Sequence, residues 1–341
     1  MKPRKTGNAL NAELLLNRGS GLLRRARAEK RSGAVPSRIA EHFITRNARG
    51  AVRVFVAGGS RPGNKKIYAD QAELLGHEIG KRNYRLDFGL SSNGLMGAVA
   101  RGVLHEWAIQ GRRSSFPVQG VTTKEYLALY RTQKILSEVS DIIVAKTLEE
   151  RKRQLLNADF VIFAPGGVGT LDELVYDCVA MQDGFLQFKP FVLFNVDGFF
   201  HHLLEFLKDI HLQGFADAVP FIVVDDSAEA GLAFDLIGLS GAHGLTKDKA
   251  RAAVEKIIYE LPYVIAQRRL FPHKSAADIV AEKDAVLAGR DTEARKRLAQ
   301  EIETCYLNKE MERMYARLEH TGRDTAIVSS KLTSLKKRRK V

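Results

Sequence analysis

The sequence lacks the features that would place the protein in a membrane or in an oxidising compartment. No apolar run approaches the roughly 18 residues that a bilayer-spanning helix needs. The two cysteines, Cys178 and Cys305, are far apart, with no CxxC motif and no nearby histidine at a zinc-binding spacing. A disulfide framework and a structural zinc site are therefore disfavoured, and we expect a cytoplasmic protein in a reducing environment.

Two familiar nucleotide-binding motifs are also missing. The sequence contains no GxxxxGK[ST], so the lysine that holds a triphosphate in P-loop enzymes is absent. GxGxxG does not follow the first predicted strand, and the second does not end in the acidic residue that binds a dinucleotide ribose. A nicotinamide oxidoreductase is therefore disfavoured, whereas a nucleoside monophosphate ligand fits better. We expect neither a cofactor nor a metal.

Basic residues are plentiful but concentrated in the two ends of the chain. Residues 1–50 contain twelve Lys and Arg against three Asp and Glu, a net charge of +9, and the last eleven residues contain six basic and no acidic residues. Since the whole chain carries +13, the part between is close to neutral, at about −2. We interpret residues 1–48 as a basic, flexible extension and the C-terminal run as a solvated tail.

These tails leave alternatives open. A role in nucleic-acid binding is less favoured, and deletion of 1–48 and 330–341 would test it. The terminal KKRRKV resembles a nuclear localisation signal and the Arg-rich start resembles an organelle transit peptide, although short basic runs often match such signals by chance.

From residue 51, short apolar strands alternate with amphipathic helices. The predicted strands are AVRVFVAGG (51–59), YRLDFG (84–89), VQGVTT (118–123), DIIVAK (141–146), FVIFAPGG (160–167), PFVLFNV (190–196) and FIVVDD (221–226). This alternation predicts an α/β domain over 49–240, a Rossmann-like parallel sheet with helices on both faces. Residues 241–341, rich in Ala, Glu, Lys and Arg, are predicted to form a helical C-terminal extension that caps this domain or packs on a partner subunit.

Three glycine-rich turns follow three of these strands: AGGSRPG (57–63), FGLSSNGLMG (88–97) and PGGVGT (165–170). Each turn alone is weak evidence, because strand-to-helix turns often use glycine for tight packing. Together they would meet at the carboxyl edge of a parallel sheet and present backbone amides and helix N-termini to a phosphate. The candidate ligand residues in the first two turns are Gly58, Gly59, Ser60, Gly94 and Met96, although a methionine at the position of Met96 is more often part of the core than of a ligand pocket.

Basic residues precede the third turn. Within the stretch TLEERKRQLLNADF (147–160), a helix is predicted over roughly 147–157, and it carries Arg151, Lys152 and Arg153. On pattern alone, the simplest interpretation is a solvated helix face with pairs such as Glu149–Arg153.

Acidic residues follow the third turn at once. Thr170 and Glu173 have the spacing of a capping box, in which both side chains would bind amides at the start of a helix predicted over 170–182. The alternative is that Glu173 is a catalytic carboxylate. The pattern favours neither interpretation.

These motifs together resemble those of the LONELY GUY (LOG) family of cytokinin riboside 5′-monophosphate phosphoribohydrolases, long labelled lysine decarboxylases. The nine-residue signature PGGxGTxxE is present as PGGVGTLDE (165–173), and EERK (149–152) is similar to the family's arginine-lysine element. NGLMGAVARG (93–102) and the segment 189–207 are also similar, and the likeness covers about 51–240. Lysine decarboxylation itself has little support, because no pyridoxal-phosphate lysine motif is visible.

The resemblance implies a homodimer or higher homo-oligomer that hydrolyses the N-glycosidic bond of a nucleoside 5′-monophosphate, with Arg151 and Glu173 as the catalytic pair. The residues implied to bind substrate and phosphate are Lys152, Gly166, Gly167, Val168, Gly169 and Thr170. The spacing from Arg151 to Pro165 is about one residue shorter than in the family, which leaves Arg153 as an alternative to Arg151 for the catalytic arginine.

The segment Gly89-Leu90-Ser91-Ser92 replaces a glycine run of the family, which changes the expected pocket for the base or ribose. The alternative is a nucleotide-binding sensor or carrier without catalysis.

Overall fold

The computed structural model describes residues 52–111, 117–130, 139, 141–241 and 247–320. The predicted N-terminal extension (1–48) and the basic C-terminal tail lie outside the described residues, as does part of the predicted boundary stretch 240–250. Within these ranges, none of the helices is both long enough and apolar enough to cross a bilayer.

A parallel sheet of seven strands forms the centre of the described structure. The strands are β1 (Arg53–Ala57), β2 (Arg85–Phe88), β3 (Val118–Thr123), β4 (Asp141–Ala145), β5 (Phe160–Phe163), β6 (Phe191–Phe194) and β7 (Phe221–Val224). Their order is β4-β3-β2-β1-β5-β6-β7, which confirms the predicted Rossmann-like fold. The order reverses between β1 and β5, whose register pairs Ala57 with Phe163. In open α/β sheets, the crevice outside this reversal is where ligands bind.

Helices connect the strands of the sheet. They are α1 (Lys66–Lys81), α2 (Gly94–Ile109), α3 (Lys124–Tyr130), α4 (Leu148–Leu156), α5 (Val168–Gln182), α6 (His201–Leu212) and α7 (Ser227–Ser240), with a 3₁₀ turn at Val196–Gly198. Helix α1 packs against both α2 and α7. The contact between α1 and α2 requires glycine, since a Cβ at Gly76 would overlap the Val99 carbonyl oxygen.

The core lies between the sheet and these helices. Its largest fully buried side chains include the strand phenylalanines Phe55, Phe88, Phe160, Phe163, Phe191 and Phe194. Continuous apolar strands of this kind are typical of a parallel sheet that is covered on both faces.

Three further helices confirm the predicted helical extension: α8 (Lys247–Leu270), α9 (Ala276–Ala288) and α10 (Thr292–His320). Helix α8 packs on β7, α7 and α10. Two cations of α10 reach the end of β7, where Lys309 Nζ lies 2.9 Å from Asp225 Oδ2 and 2.5 Å from Glu229 Oε1. Arg313 Nη2 donates to the Val223 carbonyl oxygen at 2.6 Å. These contacts tie α10 to the carboxyl edge of the sheet.

Candidate active site

The three glycine turns meet at the carboxyl ends of β1, β2 and β5. The Gly59 amide donates to the Pro165 carbonyl oxygen at 3.0 Å, and the Gly59 carbonyl oxygen accepts from the amide of Leu95 at 2.8 Å. Gly94 has φ +62°, and a Cβ there would overlap the backbone of Ser60 and Arg61. The predicted convergence of the turns is therefore present, and backbone contacts hold it together.

The start of α5 differs from the predicted capping box. The helix begins at Val168 with Gly167 as its N-cap, and no described side chain accepts a hydrogen bond there. Thr170 is therefore the third residue of the helix and Glu173 lies in its second turn, so the capping interpretation is wrong. The reason is that Gly167 and Gly169 let the helix begin at residue 168, two residues before the predicted start at 170. The Thr170 side chain is instead buried against Gly166, where a Cβ would overlap its hydroxyl.

This end of α5 faces open space. Nothing lies within 4 Å of a Cβ built on Gly167 or on Gly169, and the Val168 side chain is 84% exposed. The first amides of a helix have no partner within it and carry the positive end of the helix dipole. Their arrangement here is the one that commonly holds a phosphate at a helix N-terminus.

Arg151 and Glu173 face each other across the crevice. Arg151 Nη1 lies 3.7 Å from Glu173 Oε1, and each side chain is only 14% exposed. At this distance the two groups attract electrostatically without a direct hydrogen bond. Arg151 Nε donates to the Val121 carbonyl oxygen at 3.1 Å, and its guanidinium lies over the Tyr126 ring at 5.6 Å. Arg153 is exposed on another side of α4, so the structure brings Arg151 to Glu173 and leaves Arg153 outside.

Burial controls the acidity of Glu173. It raises the pKa of the Glu173 carboxyl from 4.5 to about 7, against the opposing attraction of Arg151, and the charge of Asp172 adds to the rise. Lys152 Nζ binds Asp172 Oδ2 at 2.8 Å and lies 5.1 Å from the centre of the Tyr176 ring. Lys152 therefore joins α4 to α5 beside the crevice.

Sequence reasoning missed the residues that fix Arg151. A Cβ at Gly89 would overlap the Arg151 guanidinium and would lie 3.1 Å from Met96 Sδ. Gly89 thus leaves room for the Arg151 side chain to cross the end of β2. A glycine directly after a strand was the sequence feature that could have predicted this close approach. The neighbouring Leu90 has φ +64° and is fully buried against Gly120 of β3. Its side chain therefore fills the core rather than the crevice.

The remaining candidate residues are either packed into the protein or open to a ligand. Gly58 is buried, where a Cβ would make ordinary contacts with Ala164 and Leu95, and Met96 is half-buried against the core. Ser60 is exposed and open to a ligand. Across the described ranges, no three His, Cys, Asp or Glu side chains come together in a way that would hold a metal ion.

Comparison with known proteins points to one family. Residues 96–231 match the family described as possible lysine decarboxylase. The chain is 36% identical over 167 residues to the cytokinin riboside 5′-monophosphate phosphoribohydrolase LOG2 of Arabidopsis thaliana, covering 49% of this chain and 73% of that protein. It is 32% identical over 209 residues to the probable enzyme LOGL6 of Oryza sativa subsp. japonica, covering 61% and 79%.

Among solved structures, a molybdenum cofactor (Moco) carrier protein of Chlamydomonas reinhardtii is 20% identical, with a TM-score of 0.41, over 55% of this chain and 98% of that one.

The phosphoribohydrolases exceed 30% identity over more than two thirds of their own length. The chain therefore belongs to the LONELY GUY family.

Proposed function

We propose that the protein hydrolyses the N-glycosidic bond of a nucleoside 5′-monophosphate and releases the free base and ribose 5-phosphate. The observation that carries this proposal is the buried pair of Arg151 and Glu173 beside the open, glycine-lined start of α5. The names of the relatives support the same reaction.

The start of α5 suits the phosphate of the substrate. Gly167 and Gly169 leave room for an anion close to the backbone amides, and the helix dipole favours its charge. Glu173 lies one to two helical turns further along the same helix. A nucleotide held by its phosphate would thus extend its ribose toward the carboxylate.

The chemistry follows from the two buried side chains. Breaking the ribosyl C1′–N bond develops positive charge on the ribose, which the Glu173 carboxylate stabilises. Water adds its oxygen to C1′ and gives one proton to Glu173, which passes that proton to the leaving base. A carboxyl with a pKa of about 7 suits a group that both accepts and releases a proton near neutral pH. Arg151 supplies a fixed positive charge that orients the nucleotide.

A homodimer is the second part of the proposal. Helix α5, which carries Glu173, exposes apolar side chains at intervals of three or four residues, and these therefore share one face of the helix. They are Val168, Leu171, Val175 and Val179, each 42–84% exposed. A contiguous apolar stripe of this kind is typical of a protein interface. A second copy of the chain would cover it next to the catalytic pair.

A substrate panel tests the reaction. Purified protein is incubated with AMP, a cytokinin riboside 5′-monophosphate and a pyrimidine nucleotide, each beside its nucleoside, and free base and ribose 5-phosphate are quantified. We expect base release from one or more monophosphates and none from the nucleosides. Tight binding of a monophosphate without any release would favour the sensor or carrier alternative instead.

A further inference from the structure

Asp177 is a second carboxylic acid on the face of α5 that carries Glu173. The two residues are four positions apart, so their side chains leave the helix on the same side. Glu173 keeps a small exposed area, whereas Asp177 is 0% exposed. Neither oxygen of Asp177 has a hydrogen-bond partner among the described residues. Since buried polar groups without partners are rare and costly, this position calls for a functional explanation.

Charged groups face the two carboxyls from several elements. Arg151 and Lys152 act on Glu173 from α4, and Asp172 acts on it from its own helix. Lys189, which precedes β6, is the cation that acts on Asp177. Its buried ammonium donates to the Leu156 carbonyl oxygen at the end of α4.

Lys189 therefore does not neutralise Asp177 by direct contact. Among the described residues no ion pair joins the two side chains, and the neighbouring thiol of Cys178 has its pKa raised by burial to about 12, which keeps it neutral. The negative charge of Asp177 therefore acts on the Glu173 carboxyl, which lies on the same face of the helix.

We infer that Asp177 is a positioning residue whose buried negative charge, one helical turn behind Glu173, makes the Glu173 carboxylate a stronger acceptor for the proton of the attacking water. This inference rests on the proposed hydrolysis. Burial raises the pKa of Asp177 to about 6, so the group is largely ionised at pH 7.5, and its charge contributes to the raised pKa of Glu173.

The pH dependence of kcat/KM in Asp177→Asn is the kinetic test. We expect the ascending limb that reports Glu173 to move to lower pH. At an effective dielectric constant of 20 to 80, the charge of one carboxylate raises the pKa of another one helical turn away by about 0.5 to 2, so the limb should move by that much. Asp183→Asn makes the same charge change at the exposed end of α5 and should leave the limb in place. A purely structural role would lower activity without moving the limb, which would count against the inference.

A second test avoids turnover. In Asp177→Asn protein with ¹³C-labelled Asp and Glu carboxyls, the NMR titration of Glu173 should move to lower pH, because Asp177 is already ionised when Glu173 titrates. Asp177→Ser makes the same measurement if the asparagine variant does not fold. An unmoved Glu173 titration would overturn the inference even in an active enzyme. A moved titration supports it even if no nucleotide is cleaved, since that failure would count against the proposed function alone.

Discussion

Replacing Glu173 by Gln should abolish activity and at the same time stabilise the protein. The substitution keeps the shape of the side chain and removes its charge. If Glu173 is the carboxylate that stabilises the ribosyl cation, we expect kcat to fall by about a hundredfold or more, which corresponds to roughly 3 kcal/mol of transition-state stabilisation. The absence of a capping box means that no helix cap is lost in exchange.

The gain in stability follows from the pKa of Glu173. Burial raises that pKa from 4.5 to about 7, and with 14% of the side chain exposed, solvent screens the effect little. Because the folded-state pKa is the higher one, ionisation destabilises the folded protein: the penalty is absent below pH 4.5 and complete above pH 7. A difference of about 2.5 pKa units corresponds to roughly 3 kcal/mol. Glu173→Gln should thus exceed wild type by up to about 3 kcal/mol at pH 8 and match it near pH 4.5.

Urea denaturation at both pH values measures the free energy of unfolding, and nucleotide turnover is followed on the same preparations. Glu149→Gln provides the matched control, because Glu149 is exposed in the first turn of α4. This control should lose at most about 1 kcal/mol and keep its activity. A Glu173→Gln protein with wild-type turnover, or one that is less stable than wild type at pH 8, would refute the reasoning.

Variants at other positions separate binding, chemistry and assembly. Nucleosides should not be cleaved while their 5′-monophosphates are, and equal turnover of adenosine and AMP would contradict the phosphate assignment. Arg151→Lys should lower kcat about tenfold or more, because lysine cannot keep both the bond to the Val121 carbonyl oxygen and the approach to Glu173, whereas Arg153→Lys should change little. Gly167→Ala should raise KM about tenfold, because the added methyl enters the open space at α5, and should cost about 1 kcal/mol of stability, because alanine is a poorer N-cap than glycine; an unchanged KM would argue that no phosphate binds there. Val175→Glu should convert a dimer into a monomer, as measured by the molar mass from light scattering. A wild-type protein that is monomeric and fully active at micromolar concentration would exclude the dimer.

The strands, most of the helices and the convergence of the turns could be predicted because local signals specify them. Apolar runs of four to eight residues mark buried strands, and glycine marks the turns after them. The ends of the elements could not be predicted so well. The run FVIFAPGG predicts a strand to residue 167, but β5 ends at Phe163 because the chain already turns at Pro165 to meet Gly59.

The site was predictable to a similar degree. Sequence spacing left Arg151 and Arg153 as rivals, because the choice depends on how α4 is rotated against the sheet. The Val121 carbonyl oxygen and the Tyr126 ring, both distant in sequence, fix that rotation. The buried Asp177 gave no local signal either, since an acidic residue in a helix is ordinarily expected at the surface.

The ion pairs between α10 and the end of β7 have a consequence for biosynthesis. Lys309 and Arg313 follow their acidic partners Glu229 and Asp225 by 80 and 88 residues. At a synthesis rate of about 5 to 20 residues per second, the carboxylates leave the ribosome roughly 4 to 18 seconds before the cations that neutralise them. During this interval Asp225, at the end of the last strand, lacks both of its cations, and Glu229 has only Arg269 of α8 at 3.4 Å. The sheet can therefore reach its final stability only after translation has passed α10.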